Sequence, residues 1–254
     1  MSSNPLVLAA DIGGSTVKAA LVARSGAIAA QVSLPSPSLD ARSLIAPLGW
    51  SDAFRAAAAL LKGENASAFA AVAAIAVTGV TRTPVVLDAD GAALIGAMPA
   101  RDARATEIAG RSAIDPRDGG EAARYDAFHP AARLQWIRAE SPEAIARAAA
   151  VVDPKDFIAA QLTGHIASDP IASARLMAAA DSTRGPSLLS RLGLPERLVP
   201  DLRTPGSIIG AVRDGIGEPL GALAGRPVVM ASHDTWCGAL GLGALTAGRA
   251  YNVS

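Results

Sequence analysis

The opening of the chain constrains it most. An apolar run, Leu6 to Ala10, ends on Asp11, turns at Gly13 and Gly14, and gives way to a second strand-like run, Thr16 to Ala23. A third, Ala27 to Leu34, follows after Ser25-Gly26. Turns this short leave no room for crossover helices, so the three runs predict an antiparallel sheet. The spacing also excludes two phosphate-binding designs. A Walker loop and a dinucleotide fingerprint both need a helix directly after their glycines, and here a strand takes that place.

Downstream the pattern changes period. Phe54, Ala58 and Leu61 share one helical face, with Ser51 placed as the cap. Val72 to Thr78 predicts a buried strand closed by Gly79, and Val85 to Leu87 predicts a hairpin that turns at Asp90-Gly91 and returns through Leu94 and Ile95. From Asp102 to Arg184 the sequence reads mainly as helices. One is predicted to start at Ser141-Pro142-Glu143, and another to run from Asp153-Pro154 to a left-handed cap at Gly164. Ser207 to Val212 and Pro227 to Ala231 read as strands, Trp236 to Leu245 as a helix, and Arg249 to Ser254 as the start of a further strand. Strands that open the chain, alternate with helices and return near the end predict an α/β layer fold with a mixed sheet.

Composition narrows the function classes. Half of the 254 residues are hydrophobic but few are aromatic, which suits helices packed closely on a sheet. The formal net charge is zero, and no Lys/Arg cluster appears, so nothing favours nucleic acid as a partner. The single cysteine, Cys237, excludes an internal disulfide and a cysteine-based zinc site. The start, MSSNPLVLAADIGG, has no charged leader, and its apolar run is too short to span a bilayer. The expectation is a cytoplasmic protein without a membrane segment. Alanine-rich surfaces are compatible with a homodimer, although no residue specifies an interface.

Two segments carry residue types suited to chemistry. In Asp11 to Lys18, a carboxylate at a strand end adjoins glycines and hydroxyls. That arrangement can hold hydrated magnesium beside phosphate, because glycines admit the anion to backbone amides and magnesium keeps most of its waters. It is equally the makeup of a plain hairpin turn. In Val228 to Ala244, an apolar strand leads through Ser232-His233-Asp234 into a helix rich in small residues. Asp234 at such a corner faces the mouth of an α/β sheet, where ligands bind; it or Thr235 could also serve only as a helix cap. If the strand persisted, His233 would point away from Asp234. His129 and His165 sit beside a helix start and a helix cap and read as structural.

Taken in order, DIGGSTVKAALV, VTGVTRTPVVLDADG, RDAR, PKDFIAAQLTGHIASDPIASA and ASHDTWCGALGLGAL resemble the successive landmarks of FGGY-family sugar kinases, with a xylulokinase-like spacing over nearly the whole chain. The resemblance implies an actin-like ATPase, ribonuclease-H-like domain, with residues 1–245 as the sugar-binding half and 246–254 as the start of an ATP-binding half. It implies ATP-dependent phosphorylation of a sugar or polyol hydroxyl, a ketopentose such as xylulose being the expected acceptor. By the same resemblance Asp234 is the catalytic base and Asp11 holds magnesium. Gly13, Gly14, Ser15, Thr16 and Lys18 lie near the ATP phosphates. Thr81, Arg82 and Asp102, with Asp234, face the sugar. The pattern is departed from at Val80, where many relatives have Gln, at Ala100, where many have Trp, and at Arg82, where several ketose kinases have His. A buried Arg needs a polar or anionic partner, which Asp102, Asp234 or the substrate could supply; an Arg exposed in a loop needs none. Residues 1–254 alone are expected to bind sugar weakly and to turn over little. The alternatives are a glucokinase-like kinase, which its missing cysteine cluster disfavours, and a non-catalytic actin-like module that binds sugar or nucleotide for regulation.

Overall fold

The computed structural model describes residues 5–37, 43–115, 117 and 119–244. Its centre is a six-stranded sheet in the order β3-β2-β1-β4-β10-β9. The opening runs form β1 (Leu6–Ile12), β2 (Thr16–Ala23) and β3 (Ile28–Pro35), joined antiparallel as their short turns require. The next strand, β4 (Val72–Gly79), pairs parallel with β1 across a crossover made by α1 (Pro47–Glu64) and α2 (Ala66–Ala70).

Between β4 and the last strands lies a long insertion. It comprises β5 (Val85–Leu87), α3 (Thr106–Arg111), α4 (Pro130–Glu140), α5 (Pro142–Arg147), β6 (Ala150–Val152), α6 (Pro154–Thr163), β7 (Ala167–Ser168), α7 (Ala174–Ala180), α8 (Leu188–Arg191) and β8 (Asp201–Leu202). The sheet is then completed by β9 (Ile208–Ala211) and β10 (Pro227–Met230), β10 lying parallel to β4, and α9 (Asp234–Gly241) follows.

Alternation decides which face of the sheet is filled. Leu6, Leu8, Ala10 and Ile12 of β1 are buried, as are Val17, Ala19 and Leu21 of β2 and Ile75 and Val77 of β4. On this face α1 contributes Trp50, Phe54, Ala58 and Leu61, and α6 contributes Phe157, Ile158 and Leu162, to one core. A second core, built around Val86, Leu134, Ile137 and Leu189, belongs to the insertion. The opposite sheet face carries Ala9, Asp11, Lys18, Ala20, Ser33 and Thr78 around a cavity of about 550 Å³. The site grows from that face.

Some local expectations meet a different outcome. The first long helix starts at Pro47, so Ser51 lies inside it and caps nothing; proline at the first turn sets the start instead. The hairpin expected from Val85 survives as an isolated bridge between Leu87 and Ala93 and a bond from the Leu94 amide to the Val86 carbonyl, 2.9 Å. The strand partner of β5 is β6, more than sixty residues on, a pairing no local pattern encodes. By contrast α6 ends as expected, Gly164 taking φ 76°. The expected end of the last helix at Leu245, the strand over 249–254 and the domain start at 246 lie outside the described residues.

Gly79 shows how tightly the strand ends are set. It pairs with Ile12 at the end of β1, and a Cβ there would sit 2.7 Å from the Ile12 carbonyl oxygen. A methyl group must therefore push apart the two strand ends that present Asp11 and Thr78. Gly79→Ala is expected to cost about 1–3 kcal/mol, a loss in Tm of about 2–4 °C for each kcal/mol. Thermal unfolding of the variant checks this, and an unchanged Tm would show that the strands yield freely.

Candidate active site

The site is a row of residues crossing the sheet at its strand ends. Asp11 near the end of β1 is in register with Lys18 on β2 and with Thr78 on β4. Thr78 Oγ1 donates to the carbonyl of Ser232, 2.7 Å, which ties β4 to the segment just beyond β10. Two residues later α9 starts, and Asp234 occupies its first turn with its side chain 44% exposed. Asp234 Oδ1 accepts from the Thr235 amide, 2.6 Å, and the Thr235 hydroxyl, 3.2 Å. Half-buried Cys237, one turn further, donates its thiol to the same Ser232 carbonyl at 3.2 Å.

The charge of Asp234 acts on Asp11, 223 positions away in the chain. Burial first, and the Asp234 charge second, raise the Asp11 carboxyl above its usual range; Lys18 alone opposes them. Asp11 Oδ1 is buried and has no hydrogen-bond partner. A carboxylate oxygen left unpaired beside a second acid is what a hydrated cation would satisfy, and magnesium needs few protein ligands. The residues present therefore fit magnesium, although no group of three or more metal-ligating side chains occurs among the described residues.

The glycine turn adjoins this pair. The Gly13 amide donates to the Thr16 carbonyl, 2.9 Å, and a Cβ at Gly13 would meet that oxygen at 2.8 Å, so the turn itself needs glycine. Gly14 has nothing within 4 Å of where its Cβ would be. Gly14, Ser15 and Lys18 are exposed and leave the turn open to an anion.

A smaller cavity, about 200 Å³, lies in the insertion and is lined by Thr81, Arg82, Asp153 and His233 among others. Asp102 is not part of its lining. Its buried carboxylate is engaged by Arg104, whose Nε donates at 2.7 Å and whose amide donates at 2.8 Å. Burial opposes ionisation of Asp102, yet these bonds hold its carboxyl below the usual range. Neither Asp102 nor Asp234 forms an ion pair with Arg82 among the described residues; Arg82 is exposed, so its guanidinium is open to water and needs no buried partner. His233 does not point away from Asp234. The strand stops at Met230, the alternation stops with it, and His233 Nδ1 lies 3.7 Å from Asp234 Oδ1.

Sequence reading missed the buried charges beneath the site. Lys155 Nζ is 2.6 Å from Asp156 Oδ1 and 2.9 Å from Asp169 Oδ2, with all three side chains no more than 1% exposed. Asp169 Oδ1 accepts from the hydroxyl of Ser232, 2.9 Å, and from the amides of Ile171 and Ala172. Ser168 completes Asp156 with a 2.7 Å bond. Burial disfavours the Lys155 charge, but the two carboxylates outweigh it and raise its pKa. The signal available was the PKD triplet at a helix start, which reads as an exposed first turn because acids favour that place.

A sheet of this order, with one acid at the end of its first strand and another opening the helix after its last, defines the actin-like, ribonuclease-H-like class of ATPases and kinases. The chain belongs to the FGGY family of carbohydrate kinases, the model of whose N-terminal domain matches residues 6–241. A xylulose kinase of Streptomyces coelicolor is 30% identical over all of this chain and 55% of its own length. An autoinducer-2 kinase of Klebsiella pneumoniae is 32% identical over 46% of this chain and 22% of its own length. The crystal structure of a xylulose kinase from Rhodospirillum rubrum superposes with a TM-score of 0.75 at 23% identity, covering 94% of this chain and 51% of that one. The chain thus spans about half the length of these relatives, or less.

Asp153 offers a test of the smaller cavity. Burial, and then the neighbouring Asp156, push its carboxyl up to about 8. The folded protein keeps that proton where the unfolded chain has lost it, above about pH 4. Stability from this group therefore falls as pH rises through that window. Asp153→Asn, which keeps the helix cap, should gain Tm relative to wild type as pH rises from about 5 to about 8. Paired melting curves across that range measure it, and a constant difference would show that Asp153 is already ionised.

Proposed function

We propose that this chain is the sugar-binding half of an enzyme that transfers the γ-phosphoryl group of ATP to a hydroxyl of a sugar or polyol. The observation that carries the reading is that the charge of Asp234, at the start of the helix after the last strand, acts on Asp11 at the end of the first. A ketopentose such as xylulose is the acceptor that the name of the Streptomyces coelicolor relative supports.

In this reading the acceptor lies in the cavity of Thr81 and Arg82, with the hydroxyl to be phosphorylated at Asp234. The Asp102 carbonyl accepts from Arg133, which lines that cavity. Asp234 orients the hydroxyl and takes its proton as the oxygen–phosphorus bond forms and the bond to the β-phosphate oxygen breaks, ADP leaving. Carboxylates are weak bases for alcohols, so orientation is its larger contribution early in the transfer. Gly13, Gly14, Ser15 and Thr16 form the phosphate-facing turn, and Lys18 adds a positive charge beside it. Asp11 would hold magnesium, which when bound supplies charge neutralisation at the phosphate oxygens. Residues 1–245 form this half, and the segment from 246 leads toward the ATP-binding half.

Asp234→Ala in the full-length protein should lower kcat by about 10²–10⁴ while acceptor binding stays measurable by calorimetry. Wild-type turnover in that variant would remove Asp234 from the mechanism, and acceptor binding without acceptor-dependent ADP release in the wild type would favour a regulatory module. Asp11→Asn separates stability from activity. The raised pKa means that ionised Asp11 is disfavoured in the folded state, so the variant should melt no lower than wild type at pH 7 and should lose turnover. Magnesium chloride should raise the Tm of wild type and leave that of the variant unchanged. A wild-type Tm indifferent to magnesium would contradict the assignment of Asp11.

A further inference from the structure

One residue in the wall of the smaller cavity holds a conformation that its own chemistry disfavours. Among the described residues, Arg82 is the sole non-glycine with positive φ, 59°. An arginine enters that left-handed region at a cost, and such strain persists only where the surroundings over-determine it. The Arg82 side chain gives no reason for it, being exposed to solvent. The reason lies in the backbone that follows. Pro84 restricts Thr83 to extended conformations, and the peptide joining Arg82 to Thr83 is gripped at both ends.

The carbonyl of that peptide accepts from Arg133 Nη1 at 2.6 Å, and its amide donates to Asp153 Oδ1 in a longer bond of 3.4 Å. Arg133 and Asp153 both line the cavity, yet they come from different elements. Arg133 is carried by α4, and Asp153 is the residue that caps α6. Arg133 is fully buried. Its Nη1 also donates to the carbonyls of Met98 and Pro99, and its Nη2 to those of Ala100 and Asp102, at distances from 2.8 to 3.4 Å. One guanidinium thus joins two separate loops, the turn at Thr81 and Arg82 and the segment 98–102. A lysine cannot do the same, because its three donors radiate from one point while a guanidinium spreads its donors over a planar fork. A cation buried among carbonyls adds little stability over an apolar side chain of the same size. Its distinct effect is to fix where the loop carbonyls point.

We propose that Arg133 is a positioning residue for acceptor binding: with Asp153 at the other end of the same peptide, it holds Arg82 in the left-handed region and so sets the wall of Thr81 and Arg82 against which the acceptor lies. This rests on the kinase reading for the ligand being an acceptor, but the clamp itself is tested without turnover. Neither Arg133 nor Asp153 hydrogen-bonds to Asp234 among the described residues. A loosened clamp therefore raises KM and leaves kcat at saturating acceptor near its wild-type value. Loss of folded protein does the reverse, lowering apparent kcat and leaving KM unchanged.

The test uses the full-length protein, with D-xylulose as the probe, and the variants Arg133→Lys, Asp153→Ala and Asp153→Asn. Amide hydrogen exchange over residues 80–83 reads the clamp, calorimetry reads xylulose affinity, and a coupled assay with magnesium and ATP reads KM and kcat. In Arg133→Lys, exchange should quicken and xylulose affinity should fall, each by about 10- to 100-fold, with kcat at saturation within about threefold of wild type. Asp153→Ala should move both readings in the same direction. Asp153→Asn keeps an oxygen for the Thr83 amide and should stay within about threefold of wild type in both. Unchanged exchange in Arg133→Lys would remove the clamp. Faster exchange with unaltered xylulose affinity, a fall in kcat at constant KM, or a wild-type protein that binds no xylulose would each overturn the positioning role. If Arg133→Lys does not melt cooperatively, the contrast between Asp153→Ala and Asp153→Asn decides. Xylulose that binds and responds to the variants as described, but is not phosphorylated by the wild type with ATP, would refute the kinase reading and leave the clamp standing.

Discussion

The placement of the site depends on a lysine buried with two aspartates. Lys155 is carried by the first turn of α6, the helix that packs against the core face of the sheet. Asp169 lies just past β7, and its other oxygen holds the Ser232 hydroxyl, two residues before Asp234. One ion cluster thus fixes the insertion to the strand end from which the proposed base projects. Such a cluster adds little net stability over an apolar equivalent, but removing one member strands the others at about 3–5 kcal/mol. Its effect is therefore on geometry more than on stability: alternative dockings of the insertion on the sheet would leave a buried charge alone.

Much of the sheet was legible because strand and helix periods are local properties. The glycine turn dictated an antiparallel opening, and β2 occupies the span that its apolar run marked out. Gly164 ended α6 where the left-handed cap was expected. The errors share a cause. Ser51 had the chemistry of a cap, but Pro47 fixed the helix start, so a local preference lost to a local constraint. For β5 a nearby turn suggested a hairpin, whereas the strand found its partner in β6, because pairing across the insertion buries Val86 between two layers.

The site was legible only in part, and for a similar reason. Motif order singled out Asp11 and Asp234, and in the fold the Asp234 charge acts on the Asp11 carboxyl. Nothing in a linear pattern says that Lys155 is buried, since a lysine after a helix-opening proline is ordinary on a surface. Nor does it say which arginine is buried. Arg82, Arg133 and Arg175 look alike in sequence, yet Arg133 is buried among five carbonyls, Arg175 meets Glu121, and Arg82 is exposed. Only the hydrogen-bond inventory distinguishes them.

Cys237 gives the corner a built-in reporter. It is the single thiol of the chain, half-buried, and its hydrogen bonds to the Ser232 carbonyl, which also accepts from Thr78 at the end of β4. A dye that reacts with free thiols can gain full access to the sulfur only when the first turn of α9 lifts from that carbonyl. Labelling speed in the unaltered protein therefore times the opening of the strand–helix junction, and any ligand that clamps Asp234 in place slows the clock.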